Sequence, residues 1–348
     1  MKTDKYTPAI LPLMAAAAIL LAGSCQKSRD AAIHGTMDVV LNIGTQGSIS
    51  LATKAGDDNN AEPYEGIRTL RAIVVSSESS TGGRRLLYNE KHTVDGSQAP
   101  EKAVLSTSLV LHDIPVGPAN IYLIANEESI GMEYNSETLL SQEYFDDEKL
   151  LLLDKGWAHF QKDYEGIAAY GLPMSGLAEN VTIESGMSAV SMTLYRVVVK
   201  LNLAVENGTS SNMTLNWVEF GNFISDRVYL FPHLQLDVPD NTLYKNLRYP
   251  ENGDLGQSLS PGTTADMPSV YIYPNYAYKD PVGSNPYTLS LATDRKEYSP
   301  SQLSANMNSM PRNTQYNITA RITASATISI RYEKVPWTAM TVEVPPFE

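Results

Sequence analysis

Short β-branched and aromatic stretches recur along this chain with glycine and proline between them, and that punctuation constrains the fold more than any other feature. Met37 to Ile43 places Val39, Leu41 and Ile43 on one side at the two-residue period of a strand. Ile67 to Ser77, Val104 to Leu111, and Ala119 to Asn126 read as further strands, the last two separated by the Pro115-Val116-Gly117-Pro118 turn. Val181 to Ile183 and Ala189 to Val205 continue the pattern. Met213 to Phe220, Arg227 to Phe231, Ser269 to Tyr273, Tyr287 to Ala292, Thr314 to Thr323, Thr327 to Val335 and Thr338 to Val344 complete it. Ser136 to Asp154 departs from it: leucines flank an acidic centre and β-branched residues are scarce, so one or two short helices are expected there. Many short strands and few helices predict a mainly β chain of antiparallel sandwiches, not a βαβ sheet.

With 348 residues the chain is long enough for two cores, and the changeover is expected near Gly186, giving domains 37–185 and 186–348. A net charge of −13 leaves no basic stripe for phosphate contacts, so nucleic acid is excluded as an expected partner.

Lys2 and Lys5 precede an apolar run from Ala9 to Ala22, too short to span a bilayer but suited to the core of an export signal over residues 1–24. The run ends in Leu21-Ala22-Gly23-Ser24-Cys25, which resembles the lipobox of bacterial lipoproteins. That resemblance implies acylation of Cys25, with 25–36 as a polar leash. Cys25 is also the single cysteine, so intramolecular disulfides and a catalytic thiol are ruled out.

Motifs of catalysis are missing from the sequence: there is no HExxH, GxSxG, Walker A or strand-associated GxGxxG. His34, His92, His112, His159 and His233 are too widely spaced for a metal pair, and Asp146-Asp147-Glu148 reads as a solvated acidic run. Neither an enzyme nor a cofactor is expected.

Four separated segments then read together: Ala119 to Asn126 (ANIYLIAN), Gly171 to Gly176 (GLPMSG), Leu194 to Lys200 (LYRVVVK), and Pro311 to Tyr316 (PRNTQY) followed by Val335-Pro336-Trp337. In this order, behind a lipoprotein signal, the chain resembles the fimbrillin family of Bacteroidales type V pili from about Thr36 to Trp337. The segments themselves read as fold determinants, not as ligand sites.

The resemblance implies two transthyretin-like sandwich domains in tandem and delivery to the outer membrane by lipoprotein export machinery. It also implies cleavage by a trypsin-like protease in the loop after the first strand, followed by polymerisation through strand exchange into a cell-surface fimbrium that supports adhesion. Implied partners are other copies of the chain, other fimbrial subunits and a host or bacterial surface receptor.

The sequence offers a candidate for each part. The removable strand carries Val39, Leu41 and Ile43. The cleavage site is Lys54-Ala55, in a Gly, Ser and Asp-rich loop, with Lys where the family pattern usually has Arg; Arg68 and Arg71 are poorer because they fall within an expected strand. The donor is 338–347, TAMTVEVPPF, in which Met340, Val342 and Val344 repeat the alternation of the first strand, Pro345 and Pro346 end the pairing, and Phe347 plugs a terminal pocket. Ten residues in extended conformation reach about 33 Å.

Alternatives stay open at this level. The tail also reads as the last strand of its own domain, and the subunit as a tip or an anchor instead of a shaft component. A surface glycan-binding lipoprotein is the rival from another class, with Tyr271, Tyr273, Tyr276, Tyr278 and Tyr287 as stacking platforms, although such a cluster in a strand-rich protein points first to packing.

Overall fold

The computed structural model describes residues 35–46, 62–80, 83–94, 103–130, 144–145, 151–153, 167, 169–231, 237–280, 282–304 and 306–337. The chain is mainly β. Its first half contributes β1 (Thr36–Thr45), β2 (Thr69–Ser80), β3 (Gly83–Thr93), β4 (Ser106–Pro115), β5 (Gly117–Ala125), β6 (Tyr144–Phe145), β7 (Leu151–Leu153), β8 (Met174–Ile183) and β9 (Val190–Arg196). All but β7 join one eight-stranded sheet in the order β4-β1-β9-β8-β5-β2-β3-β6.

That sheet turns on itself where β8 and β9 pair only through Met174 with Arg196 and Ser175 with Tyr195. Val39, Leu41, Ile43, Leu111 and Leu194 thereby face Leu70, Ala72, Val74, Ile121 and Leu123 across one core. Gly176 of the GLPMSG segment permits the close approach, since a Cβ there would lie 2.6 Å from the Thr193 carbonyl oxygen.

The second half contributes β10 (Val199–Asn207), β11 (Met213–Ser225), β12 (Arg227–Tyr229), β13 (Tyr244–Tyr249), β14 (Gln257–Leu259), β15 (Thr264–Asp266), β16 (Val270–Ile272), β17 (Thr288–Thr293), β18 (Glu297–Gln302), β19 (Thr314–Ile322) and β20 (Ile328–Pro336). One sheet runs β15-β10-β19-β20 with β16 also on β10, and another runs β13-β11-β17-β18 with β14 also on β11. Their apolar faces meet through Val199, Leu201, Leu203, Val205, Tyr316 and Ile318 on one side and Leu215, Phe220, Phe223, Leu289 and Leu291 on the other.

A third cluster joins the halves. Ile73 and Val75 of β2 and Tyr122 and Ile124 of β5 pack with Val228, Leu230, Phe231, Tyr271, Tyr273 and Trp337. β2 and β5 are thus covered on both faces, one by their own core and the other by the second half, which is why their sequences read as near-continuous apolar runs.

Two expectations need adjustment. Across Ser136 to Asp154 the described residues are strand: β6 pairs with β3 and β7 pairs with β12. A short leucine run has no periodicity of its own, and the free edge offered by Arg227–Tyr229 captures Leu151–Leu153 in extended form. Among the described residues, helical backbone in the first half lies instead in the 3-10 turns at Pro63–Glu65 and Glu127–Ile130 and at Ile167, Ala169 and Tyr170. The changeover expected near Gly186 does not coincide with the change of sheets: β9 pairs with β1 and β8, and the passage to the second set of sheets runs through Val197 and Val198 between β9 and β10.

Candidate functional site

β1 lies inside its sheet, not at an edge. It runs antiparallel to β4, with Val39 opposite Leu111 and Leu41 opposite Leu109, and parallel to β9, with Leu41 opposite Val190 and Ile43 opposite Met192. Val39, Leu41 and Ile43 are buried at 1, 0 and 3 % exposure, while Asp38, Val40 and Asn42 point outward. The structure therefore places the three sequence-selected residues on the core side of a strand whose departure would unpair β4 and β9 together.

Cys25, Lys54, Ala55, Met340, Val342, Val344 and Phe347 lie outside the described residues. Arg71 is in β2 at 2 % exposure and forms a paired contact with Glu127, Nε to Oε2 at 2.6 Å and Nη2 to Oε1 at 2.8 Å, so folded backbone and a buried side chain both shield it from a protease.

The motif segments converge where the two halves meet. Trp337, 4 % exposed, has its indole between the Tyr271 ring, stacked at 5.8 Å between centroids, and the Arg196 guanidinium, 4.7 Å from the ring centroid. Its Nε1 donates to Glu65 Oε2 at 3.3 Å, and the other oxygen of Glu65 accepts from Lys200 Nζ at 2.6 Å. Arg196 donates from its main-chain nitrogen and from Nη1 to Asn313 Oδ1, at 3.1 and 3.4 Å, while its Nε and Nη2 have no hydrogen-bond partner among the described residues. Burial holds this guanidinium below its ordinary value, against the opposing pull of Glu65 and Tyr271.

Asn313, in a left-handed conformation at φ 56°, is the junction's three-way connector. Its main-chain nitrogen donates to the Val198 carbonyl at 2.9 Å, its Oδ1 receives Arg196, and its Nδ2 donates to Gln46 Oε1 at 2.7 Å. Gln46 follows β1 directly and donates its main-chain nitrogen to the Leu194 carbonyl of β9 at 2.9 Å. A cavity of about 420 Å³ opens between Gln46 on one side and Arg312, Asn313, Lys334, Val335 and Trp337 on the other. The end of the β1 segment and the residue before Thr338 thus line the same cavity.

Arg312 anchors the same region from the second half. Its Nε contacts Asp237, Nη1 donates to the Leu230 carbonyl at 2.9 Å and to Ser175 Oγ at 3.3 Å, and Nη2 donates to the Tyr229 carbonyl at 2.6 Å. Asp237 also accepts from the Tyr276 hydroxyl. Burial first, then the neighbouring Asp237 carboxylate, pushes the Tyr276 phenol well above its ordinary value. In ANIYLIAN, Asn126 is fully buried and donates to the carbonyls of Gly66 at 2.9 Å and Leu172 at 2.7 Å, tying β5 to the start of β2 and to the GLPMSG segment.

Sequence reasoning singled out these segments as fold determinants, and their side chains hold the junction. Glu65 and Asp237 lie outside them, far along the chain from the residues they meet, and carry no signal in the sequence; Lys200 closes the LYRVVVK segment. The tyrosine cluster packs inward: Tyr271, Tyr273, Tyr278 and Tyr287 are all below 8 % exposure.

No protein-family model matches the chain, and no curated protein matches its sequence. Its fold does match solved structures. A candidate cell adhesion protein from Parabacteroides distasonis ATCC 8503 superposes with a TM-score of 0.56 at 16 % identity, covering 89 % of this chain and 100 % of that one. The tip fimbrial protein Mfa3 from Porphyromonas gingivalis, with a C-terminal truncation, gives 0.52 at 15 % identity over 86 % of this chain and 100 % of that one. A candidate adhesin from Bacteroides thetaiotaomicron VPI-5482 gives 0.50 at 8 % identity over 87 % and 99 %. The chain has the fold of these Bacteroidales proteins, in agreement with the resemblance drawn from its motifs.

Proposed function

We propose that this chain is a structural subunit of a type V pilus, built as two tandem transthyretin-like sandwiches and exported as a lipoprotein precursor acylated on Cys25. Cleavage after Lys54 by a trypsin-like protease releases the segment that contains β1. The 338–347 tail of a neighbouring copy then takes its place, and repetition builds a shaft on the cell surface that serves adhesion. The observation that carries the reading is the position of β1: interior to its sheet, paired on both sides, with Val39, Leu41 and Ile43 in the core.

The physics favours replacement over an empty groove. Removing β1 exposes unpaired donors and acceptors on β4 and β9 together with a strip of core. A tail with the same alternation restores the three apolar contacts and the ladder of backbone hydrogen bonds on both neighbouring strands. No cofactor and no catalytic residue is required.

A second reading is favoured by the fold likeness to a tip fimbrial protein: a tip subunit would accept a donor without supplying one. The buried tyrosines argue against the glycan-platform reading. To test the proposal, the chain from Gln26 onward is treated briefly with trypsin and followed by N-terminal sequencing and size-exclusion chromatography. A new terminus at Ala55 with a ladder of multimers supports a shaft subunit. Cleavage without multimers, with the cut chain accepting a tail peptide, supports a tip, and a chain that neither is cut nor assembles contradicts both.

A further inference from the structure

The cavity beside Gln46 has a size, a position and a register that select an occupant. The tail repeats the first strand at a constant offset: Met340 stands where Val39 stands, Val342 where Leu41 stands and Val344 where Ile43 stands. Carried forward without a break, Pro345 and Pro346 fall at Gly44 and Thr45, and Phe347 falls at Gln46. Gln46 is the residue of the β1 segment that lines the cavity.

We propose that this cavity is the terminal socket of the strand-exchange groove and that it takes the Phe347 ring of a second copy, entering in the direction and register of β1. The inference rests on the strand-exchange reading and adds to it a place for the end of the donor. About 420 Å³ is ample for the ring, since a cavity of roughly 150 Å³ holds benzene. The walls that remain once the β1 segment has gone are the Trp337 indole, Val335, Thr314, Asn313 and the side chains of Arg312 and Lys334. Trp337 gives an aromatic surface for edge or offset packing.

The two prolines fit this placement. Thr45 donates its main-chain nitrogen to the Leu105 carbonyl at 2.9 Å, and Pro346 at that position has no N–H to give. The ladder to β4 therefore stops at Val344. Phe347 recovers a donor, and its nitrogen occupies the place from which Gln46 reaches the Leu194 carbonyl at 2.9 Å.

The arrangement also sets the path of a filament. Trp337 walls the socket and immediately precedes Thr338, so an incoming tail ends where the outgoing tail begins. Successive donors are then laid end to end.

The test uses the trypsin-processed chain from Gln26 onward, in wild-type form and as Phe347→Ala, each also made with Trp157→Phe and Trp217→Phe so that Trp337 reports alone. Wild-type multimers are expected to shift the Trp337 emission on assembly. Phe347→Ala multimers are expected to form without the shift and to dissociate in urea faster by on the order of a hundredfold. Equal dissociation rates with the same emission shift in both forms overturn the socket while leaving strand exchange intact. A wild-type chain that is cleaved yet never assembles overturns the strand-exchange reading and the socket with it.

Discussion

Asn313 donates its side-chain amide to Gln46 Oε1 at 2.7 Å, linking the end of the β1 segment to the segment that leads into β19. The same side chain receives Arg196, whose guanidinium covers Trp337. Three elements distant in sequence are therefore held at one point, where the candidate removable strand ends and the candidate donor begins.

The two buried arginines of this junction predict opposite responses. Two guanidinium nitrogens of Arg196 have no hydrogen-bond partner among the described residues, so Arg196→Met exchanges an incompletely satisfied charge for apolar packing and changes stability by no more than about 1 kcal/mol. Arg312→Met strands the buried Asp237 and is expected to cost ~3 to 5 kcal/mol. Urea denaturation of the two variants decides it, and equal losses would contradict the assignment.

Leu41 is fully buried in β1, and Leu41→Ala should destabilise the uncut precursor by ~2 to 5 kcal/mol. Under the proposed processing β1 is discarded before assembly, so the same substitution is expected to leave the dissociation rate of assembled multimers unchanged. Denaturation of the precursor and a multimer lifetime assay together check this pair of outcomes.

Glu128 accepts from Thr69 Oγ1 at 2.7 Å and pairs with Lys91. Partial burial pushes its carboxyl up, but the hydrogen bonds from Lys91 and Thr69 together outweigh that and hold it below its ordinary value. A depressed carboxyl contributes stability that is present above its unfolded value of about 4.5 and is lost as pH falls through the folded one. Glu128→Gln should therefore flatten the loss of stability below about pH 4.5, as read from urea midpoints across the acid range.

Lys54→Gln should abolish the discrete cut before Ala55 and the multimers that follow it, while Arg71→Gln should leave the cleavage position unchanged. Arg71 is already withdrawn into β2 against Glu127. N-terminal sequencing after brief trypsin treatment reads both outcomes.

Much of this fold was legible in alternation and punctuation. β1, β4 and β5 fall close to their expected places because one or both of their faces are buried and their sequences carry the period. β3, Gly83–Thr93, was hidden because Arg84, Arg85, Glu90 and Lys91 give it the composition of a loop, although it pairs with β2 along most of its length. β13, β14, β15 and β18 escaped for a related reason: they are short and hold few buried apolar residues. Of the candidate site, the buried face of β1 was readable from Val39, Leu41 and Ile43 alone. The junction was only partly readable, since Arg196, Lys200, Asn313 and Trp337 sit in conspicuous segments while Glu65 and Asp237 reveal their role only once the chain has folded.

The most direct measurement traps the donor in the groove. Leu41 pairs with Leu109 of β4, so a tail in the same register sets Val342 against Leu109 of the neighbouring subunit. Starting at Gln26 removes the single native cysteine, and Leu109→Cys with Val342→Cys then supplies two thiols. The account predicts that trypsin treatment followed by mild oxidation gives a covalent ladder of multimers, and that moving the second thiol to Glu343→Cys, on the opposite face of the tail, gives none. Multimers that form without crosslinking, or crosslink equally from positions 342 and 343, would contradict replacement of β1 by the neighbour's tail.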